Sequence, residues 1–239
     1  MTAILDPVKG KVVLLTGATG AVGGAVARSL LERGARVALA ARQSWQVAKL
    51  YDSFGRDRVL CGYVATNDSE AAAGFVKGAT DALGPIDALI AANGAFAVSA
   101  AGKDKAGDLQ SMLDANLLAG VNLARALVGR MQQRRAGCMV FIGSDAVGHG
   151  GVGMTNYVTS KAALHEYVRA LAMELRTGPV RAVALVPGTI DTEANRAAMP
   201  SADRSGWASV DSVVAAVLTL AFSPLSQDSG PLYPLAALR

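Results

Sequence analysis

The chain has 239 residues, 51% of them hydrophobic, with a formal net charge of +4 and a pI of about 9.2. That length supports one large buried core, and single α/β domains reach this size. Its basic residues form no run longer than the pair Arg134-Arg135, which argues against a nucleic-acid surface. Mean hydropathy is +0.32, much of it from alanine, and no apolar run approaches the length of a membrane span. The N-terminus carries no apolar signal region. Cys61 and Cys138 stand alone and are expected as reduced thiols of a cytoplasmic protein. No paired Cys/His cluster suggests a metal.

Residues 11–15 read as a strand buried on both faces. The run Thr16-Gly17-Ala18-Thr19-Gly20-Ala21-Val22-Gly23-Gly24 follows at once, then a helical stretch over 25–33 that Gly34 stops. Strand, Gly-rich turn and helix in that order are a dinucleotide fingerprint. Glycines let backbone approach a pyrophosphate, and the helix N-terminus offers free N–H groups. Gly17, Thr19, Gly20, Ala21, Val22 and Gly23 are therefore candidate cofactor contacts. A second strand covers 36–41. Arg42 comes directly after it, where an acid would bind the ribose hydroxyls of NAD. An arginine there can pair with a 2′-phosphate, which favours NADP (NADPH) over NAD.

Helices are expected at 43–54 and 69–83, and strands at 59–64 and 87–92. Asn93 and Gly94 end the latter strand, leaving room for adenine and ribose. A polar, small-residue loop spans 96–107, and one long helix is expected over 108–135. Asn116 sits among apolar neighbours on that helix. A buried amide needs partners, so Asn116 either satisfies a bend in its own helix or holds a water in a proton relay. A fifth strand covers 137–142, and a sixth, 181–186, ends in Pro187-Gly188-Thr189-Ile190-Asp191-Thr192. Residues 193–210 show little periodicity, the profile of a substrate lid. A last helix covers 211–222, and Leu232-Tyr233 between prolines suits a short edge strand. Strand and helix alternate throughout, which predicts a single domain over residues 1–239: an α/β fold with one doubly wound parallel sheet of about seven strands.

The chemistry concentrates in residues 144–161. Tyr157 and Lys161 are four residues apart at the start of a helical pattern, so phenol and ammonium share a face. A phenol with a pKa of roughly 10 is a poor proton donor and acceptor at neutral pH. A nearby cation should lower that value toward the useful range. Ser144 precedes Tyr157 by thirteen positions, at the end of a strand. The Gly-rich loop between them can fold back and bring both hydroxyls onto one substrate oxygen.

Together these residues resemble the short-chain dehydrogenase/reductase family over nearly the whole chain. The likeness rests on the Gly-rich turn, Asn116 within Asp114-Ala115-Asn116-Leu117, Ser144, the Tyr157/Lys161 pair and the turn from Pro187 to Thr192. It implies a Rossmann sheet, a nicotinamide cofactor and a catalytic tetrad. Tyr157 would move the substrate proton, and Ser144 would bind the carbonyl oxygen. Lys161 would hold the nicotinamide ribose and lower the tyrosine pKa. Asn116 would keep a water linking Lys161 to solvent. It also implies cofactor contacts from Pro187, Gly188, Ile190 and Thr192, and places Val64 where an aspartate often touches adenine. Homotetramers or dimers packed through two long helices are usual. Residues 190–203 with Trp207 look like the dihydropteridine reductase branch, although Ser144 and Arg42 disagree with it.

The expected activity is an NADP-dependent oxidoreductase acting on a small carbonyl or alcohol. The alternatives are a C=N reductase of the dihydropteridine type and a non-catalytic dinucleotide sensor. An epimerase is disfavoured, since the chain leaves little room for a further substrate domain.

Overall fold

The computed structural model describes residues 6–41, 45–62, 64–224 and 230–238. The strands are β1 (Val12–Thr16), β2 (Arg36–Ala40), β3 (Val59–Gly62), β4 (Ala88–Ala91), β5 (Gly137–Ile142), β6 (Val180–Val186) and β7 (Leu232–Pro234). They form one seven-stranded sheet in the order β3-β2-β1-β4-β5-β6-β7, and every pairing is parallel. The short, proline-ended β7 takes the edge, as its sequence requires.

The helices are α1 (Ala21–Glu32), α2 (Trp45–Phe54), α3 (Ser69–Leu83), α4 (Asp108–Leu113), α5 (Ala119–Arg134), α6 (Ala146–His149), α7 (Thr155–Leu175), α8 (Glu193–Ala198) and α9 (Val210–Phe222). Alternate strand residues feed two cores. Val13, Leu15, Leu39, Ile90 and Val140 pack with Val26, Leu30 and Leu31 of α1 and Val213, Val217 and Leu220 of α9. Leu14, Leu89, Met139 and Phe141 pack on the other face with α3, α5 and α7 through Val76, Leu123, Leu127, Leu164 and Val168. Burying each such side chain contributes roughly 1.5–3 kcal/mol, which is why these strands are apolar on both faces.

Several boundaries differ from the sequence reading. Helix α1 starts at Ala21 rather than residue 25, because the glycines of the turn continue directly into it. Strand β3 stops at Gly62 instead of reaching residue 64. The single helix expected over 108–135 is interrupted by a π-helical turn, Asp114–Leu118, between α4 and α5. The glycine-rich stretch after Ser144 holds the short helix α6. Residues 193–210 are more ordered than a lid without periodicity implies. Thr192 caps α8, Ile190 bridges Ala208 as in a parallel sheet, and Arg196 grips Asp191 through two bonds of 2.6 and 2.7 Å. Local polar closure of this kind leaves no apolar period to read.

The chain winds outward from β1 through β2 to β3, then returns to β4 on the other side of β1. This reversal opens a crevice at the carboxyl ends of β1 and β4, where ligands bind in open α/β sheets.

Candidate active site

The Gly-rich turn forms one wall of the crevice. Gly17 has φ +70°, and a Cβ there would lie 2.4 Å from the Ala92 carbonyl oxygen, so only glycine lets the turn reach the end of β4. A Cβ on Gly23 would come within 2.1 Å of the Gly17 carbonyl oxygen. Both glycines therefore act through backbone packing. Thr19, Gly20 and Ala21 are exposed, and Val22 is half-buried. Gly20 is the N-cap of α1, makes no side-chain cap bond, and no acid occupies the first turn. The first N–H groups of this twelve-residue helix thus keep an uncompensated positive end. That is a donor set for a pyrophosphate, so these residues fit a dinucleotide.

The opposite wall is more committed to holding itself together. Asn93 accepts from the Thr16 hydroxyl at 2.6 Å, and its backbone N–H donates back at 3.2 Å. Its amide also donates to the Ala115 carbonyl, so Asn93 ties β1 and β4 to the π turn. Gly94 is exposed, and a Cβ on it would stand 3.0 Å from Asn116 Oδ1 and 3.6 Å from Lys161 Nζ. Val64 is buried. Pro187 is buried, with Gly188, Ile190 and Thr192 half-buried beyond it. The Ile190 carbonyl accepts from Asn195 Nδ2 at 2.8 Å, and the Thr192 hydroxyl accepts from Asn195 N–H at 3.2 Å. Those two polar groups are thus already engaged within the loop. Arg42 lies outside the described residues.

Ser144, Tyr157 and Lys161 come together at the carboxyl end of β5, with Ser144 and Lys161 buried and Tyr157 half-buried. The Ser144 hydroxyl is in reach of the Tyr157 phenol and favours its ionised form. Burial outweighs this and raises the Tyr157 pKa, with the Asp145 charge adding to the rise. Lys161 does not supply the expected depression. Its Nζ donates to the Ile142 carbonyl at 2.8 Å, and burial pushes its own pKa down to about 8. Sequence spacing placed the cation correctly on the helix face but could not show that its head is held on β5. The Phe96 ring meets Tyr157 edge-on, with centroids 5.0 Å apart.

Asn116 lies in the π turn and is 2% exposed. Its Oδ1 accepts from Ala95 N–H at 2.9 Å, and Nδ2 donates to the Ala95 carbonyl at 3.0 Å and to Ser160 Oγ at 2.9 Å. Ser160 Oγ in turn donates to the Tyr157 carbonyl at 2.7 Å. The amide therefore clamps the segment after β4 to α7, a contact the sequence reading did not foresee.

Two neighbours escaped the sequence reading. His165 continues the Tyr157–Lys161 face by one more turn, and its Nε2 accepts from the Ser144 N–H at 3.3 Å. A Cβ on Gly143 would lie 2.3 Å from that nitrogen, so Gly143 admits the ring. Burial, then the Arg169 and Lys161 charges, hold the His165 pKa below the ordinary value, with Glu166 opposing. Extending the i, i+4 spacing to i+8 would have found it. The other is Asp145, next to Ser144, whose carboxylate sits over Gly188. Between the loop 97–105, α4 and the start of α7 opens a cavity of about 500 Å3, bounded by Val98, Lys103, Lys105, Met112, Gly153 and Asn156.

A profile of the family described as short chain dehydrogenase matches residues 11–203. The chain belongs to this family. Short-chain dehydrogenases and reductases are oxidoreductases that use NAD or NADP, and this chain is an enzyme of that class. The acetoacetyl-CoA reductase of Synechocystis sp. is 31% identical over 77% of this chain and 73% of its own length. The 3-oxoacyl-(acyl-carrier-protein) reductase FabG of Vibrio harveyi is 28% identical over 79% of this chain and 77% of its own. The glycine betaine reductase ATRR of Emericella nidulans is 31% identical over 78% of this chain, which spans only 15% of that much longer protein. Among solved structures, a protein assigned as a short-chain alcohol dehydrogenase from Sinorhizobium meliloti 1021 superposes with a TM-score of 0.83 over 96% of this chain and 97% of its own. At 24% identity that likeness shows the shared short-chain dehydrogenase fold. Among the described residues no helix is long and apolar enough to cross a membrane.

Proposed function

We propose that this protein is an NADP(H)-dependent carbonyl reductase or alcohol dehydrogenase in which Tyr157 transfers the substrate proton. The observation that carries this reading is the approach of Ser144 to Tyr157 at the carboxyl edge, beside the buried Lys161. Two hydroxyls facing one point can hold a carbonyl oxygen, Ser144 by orientation and Tyr157 as the acid. A phenol kept protonated across the neutral range suits the donor role in reduction. Bound nicotinamide dinucleotide supplies or accepts the hydride at the substrate carbon. Thr19, Gly20 and Ala21 would hold its pyrophosphate, while Gly94 and Gly188 leave space for the nicotinamide end. Lys161 would hold the nicotinamide ribose, and Asn116 fixes the Gly94–Ala95 segment against α7. The cavity bounded by Val98, Met112 and Asn156 would receive the substrate body. Two of the relatives are named as reductases of 3-oxoacyl compounds, FabG and the acetoacetyl-CoA reductase, which supports a carbonyl as the reacting group.

The preference for NADP rests on Arg42, which follows the end of β2 in sequence. One domain, a dimer or tetramer packed through the long helices, and a cytoplasmic setting for the free thiols Cys61 and Cys138 complete the reading. The test is NADPH oxidation against a carbonyl panel, comparing wild type with Tyr157→Phe. The variant should lose at least about a hundredfold in kcat, the scale of a positioned proton donor. Equal turnover would remove Tyr157 from the mechanism.

A further inference from the structure

Asp145 has no part in the reading above, yet its placement is specific. It directly follows Ser144, and its backbone N–H donates to the Pro187 carbonyl at 3.0 Å, across the ends of β5 and β6. Its Oδ2 lies 3.1 Å from where a Cβ on Gly188 would stand. Asp145 is the N-cap residue of α6, a position where aspartate ordinarily bonds a first-turn N–H. Here its side chain makes no cap bond, and the Ser144 hydroxyl accepts from Ala146 N–H at 3.3 Å instead. His149 bonds the Asp145 backbone carbonyl, not the carboxylate. Among the described residues no cation pairs with Asp145. The usual structural reasons for an aspartate are therefore missing. What remains is an exposed carboxylate beside Ser144 at the ends of β5 and β6, with its charge felt by Tyr157.

We propose that Asp145 determines specificity, selecting carbonyl substrates that carry a positive charge, a quaternary or protonated amine, close to the reacting carbon. This rests on Tyr157 and Ser144 being the carbonyl-binding pair. A fixed negative charge beside a partly desolvated site attracts a cation and repels an anion. In the reduction, a bound nicotinamide would supply the hydride of the new C–H bond, and Tyr157 would give its proton to the carbonyl oxygen as the π pair moves onto it. The positive group passes unchanged into the alcohol.

The experiment uses two aldehydes of one shape that differ by one charge: trimethylammonioacetaldehyde and its carbon isostere 3,3-dimethylbutanal. NADPH oxidation is followed for wild type, Asp145→Asn and Asp145→Glu. Wild type should favour the cation by about tenfold or more in kcat/KM, and added salt should shrink that ratio. The ratio should fall to within about twofold in Asp145→Asn and persist in Asp145→Glu. Equal efficiency toward both aldehydes in wild type, or a ratio that survives in Asp145→Asn, overturns the proposal. If neither aldehyde turns over while a neutral 3-oxoacyl thioester is reduced, charge selection is overturned and the carbonyl-reductase reading stands. If no carbonyl oxidises either reduced nicotinamide cofactor, that reading falls, and this inference with it.

Discussion

Lys161 is a charge held in the core by one carbonyl, and its stability effect has a definite sign. The unfolded chain keeps the lysine proton up to its ordinary pKa of 10.5, whereas the folded protein releases it at about 8. Between those values the unfolded state binds more protons, so stability rises with pH across that window. Below about pH 8 the whole penalty is present, roughly 3 kcal/mol at 1.36 kcal/mol per pKa unit. Lys161→Met should therefore abolish activity yet raise the Tm at pH 7. Its advantage over wild type should narrow as pH climbs from 8 toward 10.5, which calorimetry at several pH values would follow. A lower Tm for the variant at pH 7 would mean that the bond to the Ile142 carbonyl outweighs desolvation. The residue types and spacing of Ser144, Tyr157 and Lys161 were legible because Tyr157 and Lys161 sit on one periodic helix and Ser144 closely follows an apolar strand. The direction of the tyrosine shift was not, since it depends on burial and on where a flexible ammonium ends.

At the scale of elements, the π turn Asp114–Leu118 shows what periodicity conceals. Apolar residues on both sides keep a helical spacing, so the sequence suggests one unbroken helix. The break is set by tertiary bonds from Asn93 to the Ala115 carbonyl and from Asn116 to Ala95 and Ser160. Such π turns recur at functional sites, where they re-aim a side chain. Asn116→Leu preserves bulk and strips the clamp, leaving Ala95 N–H and C=O without that partner. Because Ala95 is only half-buried, a loss of about 1 kcal/mol is expected for each group left unsatisfied. Amide hydrogen exchange should show Ala95 losing protection while the middle of α5 keeps it. Unchanged protection at Ala95 would dismiss the clamp. The ordered loop 190–208 makes the same point, because Arg196–Asp191 and the Ile190–Ala208 bridge leave no mark on hydrophobic period.

Across the whole molecule, strand order decides where the chemistry sits. Continuous apolar runs alternating with helical stretches were enough to infer a doubly wound parallel sheet, since only strands covered on both faces read that way. The crevice follows from the reversal between β1 and β4, which brings the turn at Gly17 against Ala92 and Asn93. A dinucleotide bridging that crevice would touch the α1 N-terminus on one side and the Tyr157–Lys161 face on the other, so it should stabilise the fold as a unit. At a hundred times its Kd a ligand adds about 2.7 kcal/mol. For a domain of this size that corresponds to a Tm rise of about 5–10 °C. NADPH should produce this rise, and NADH at equal concentration a smaller one if Arg42 meets a 2′-phosphate. Arg42→Asp should reverse the order, because a carboxylate after β2 repels the phosphate and suits two ribose hydroxyls. A variant that still prefers NADPH by thermal shift would locate the discrimination elsewhere along the crevice.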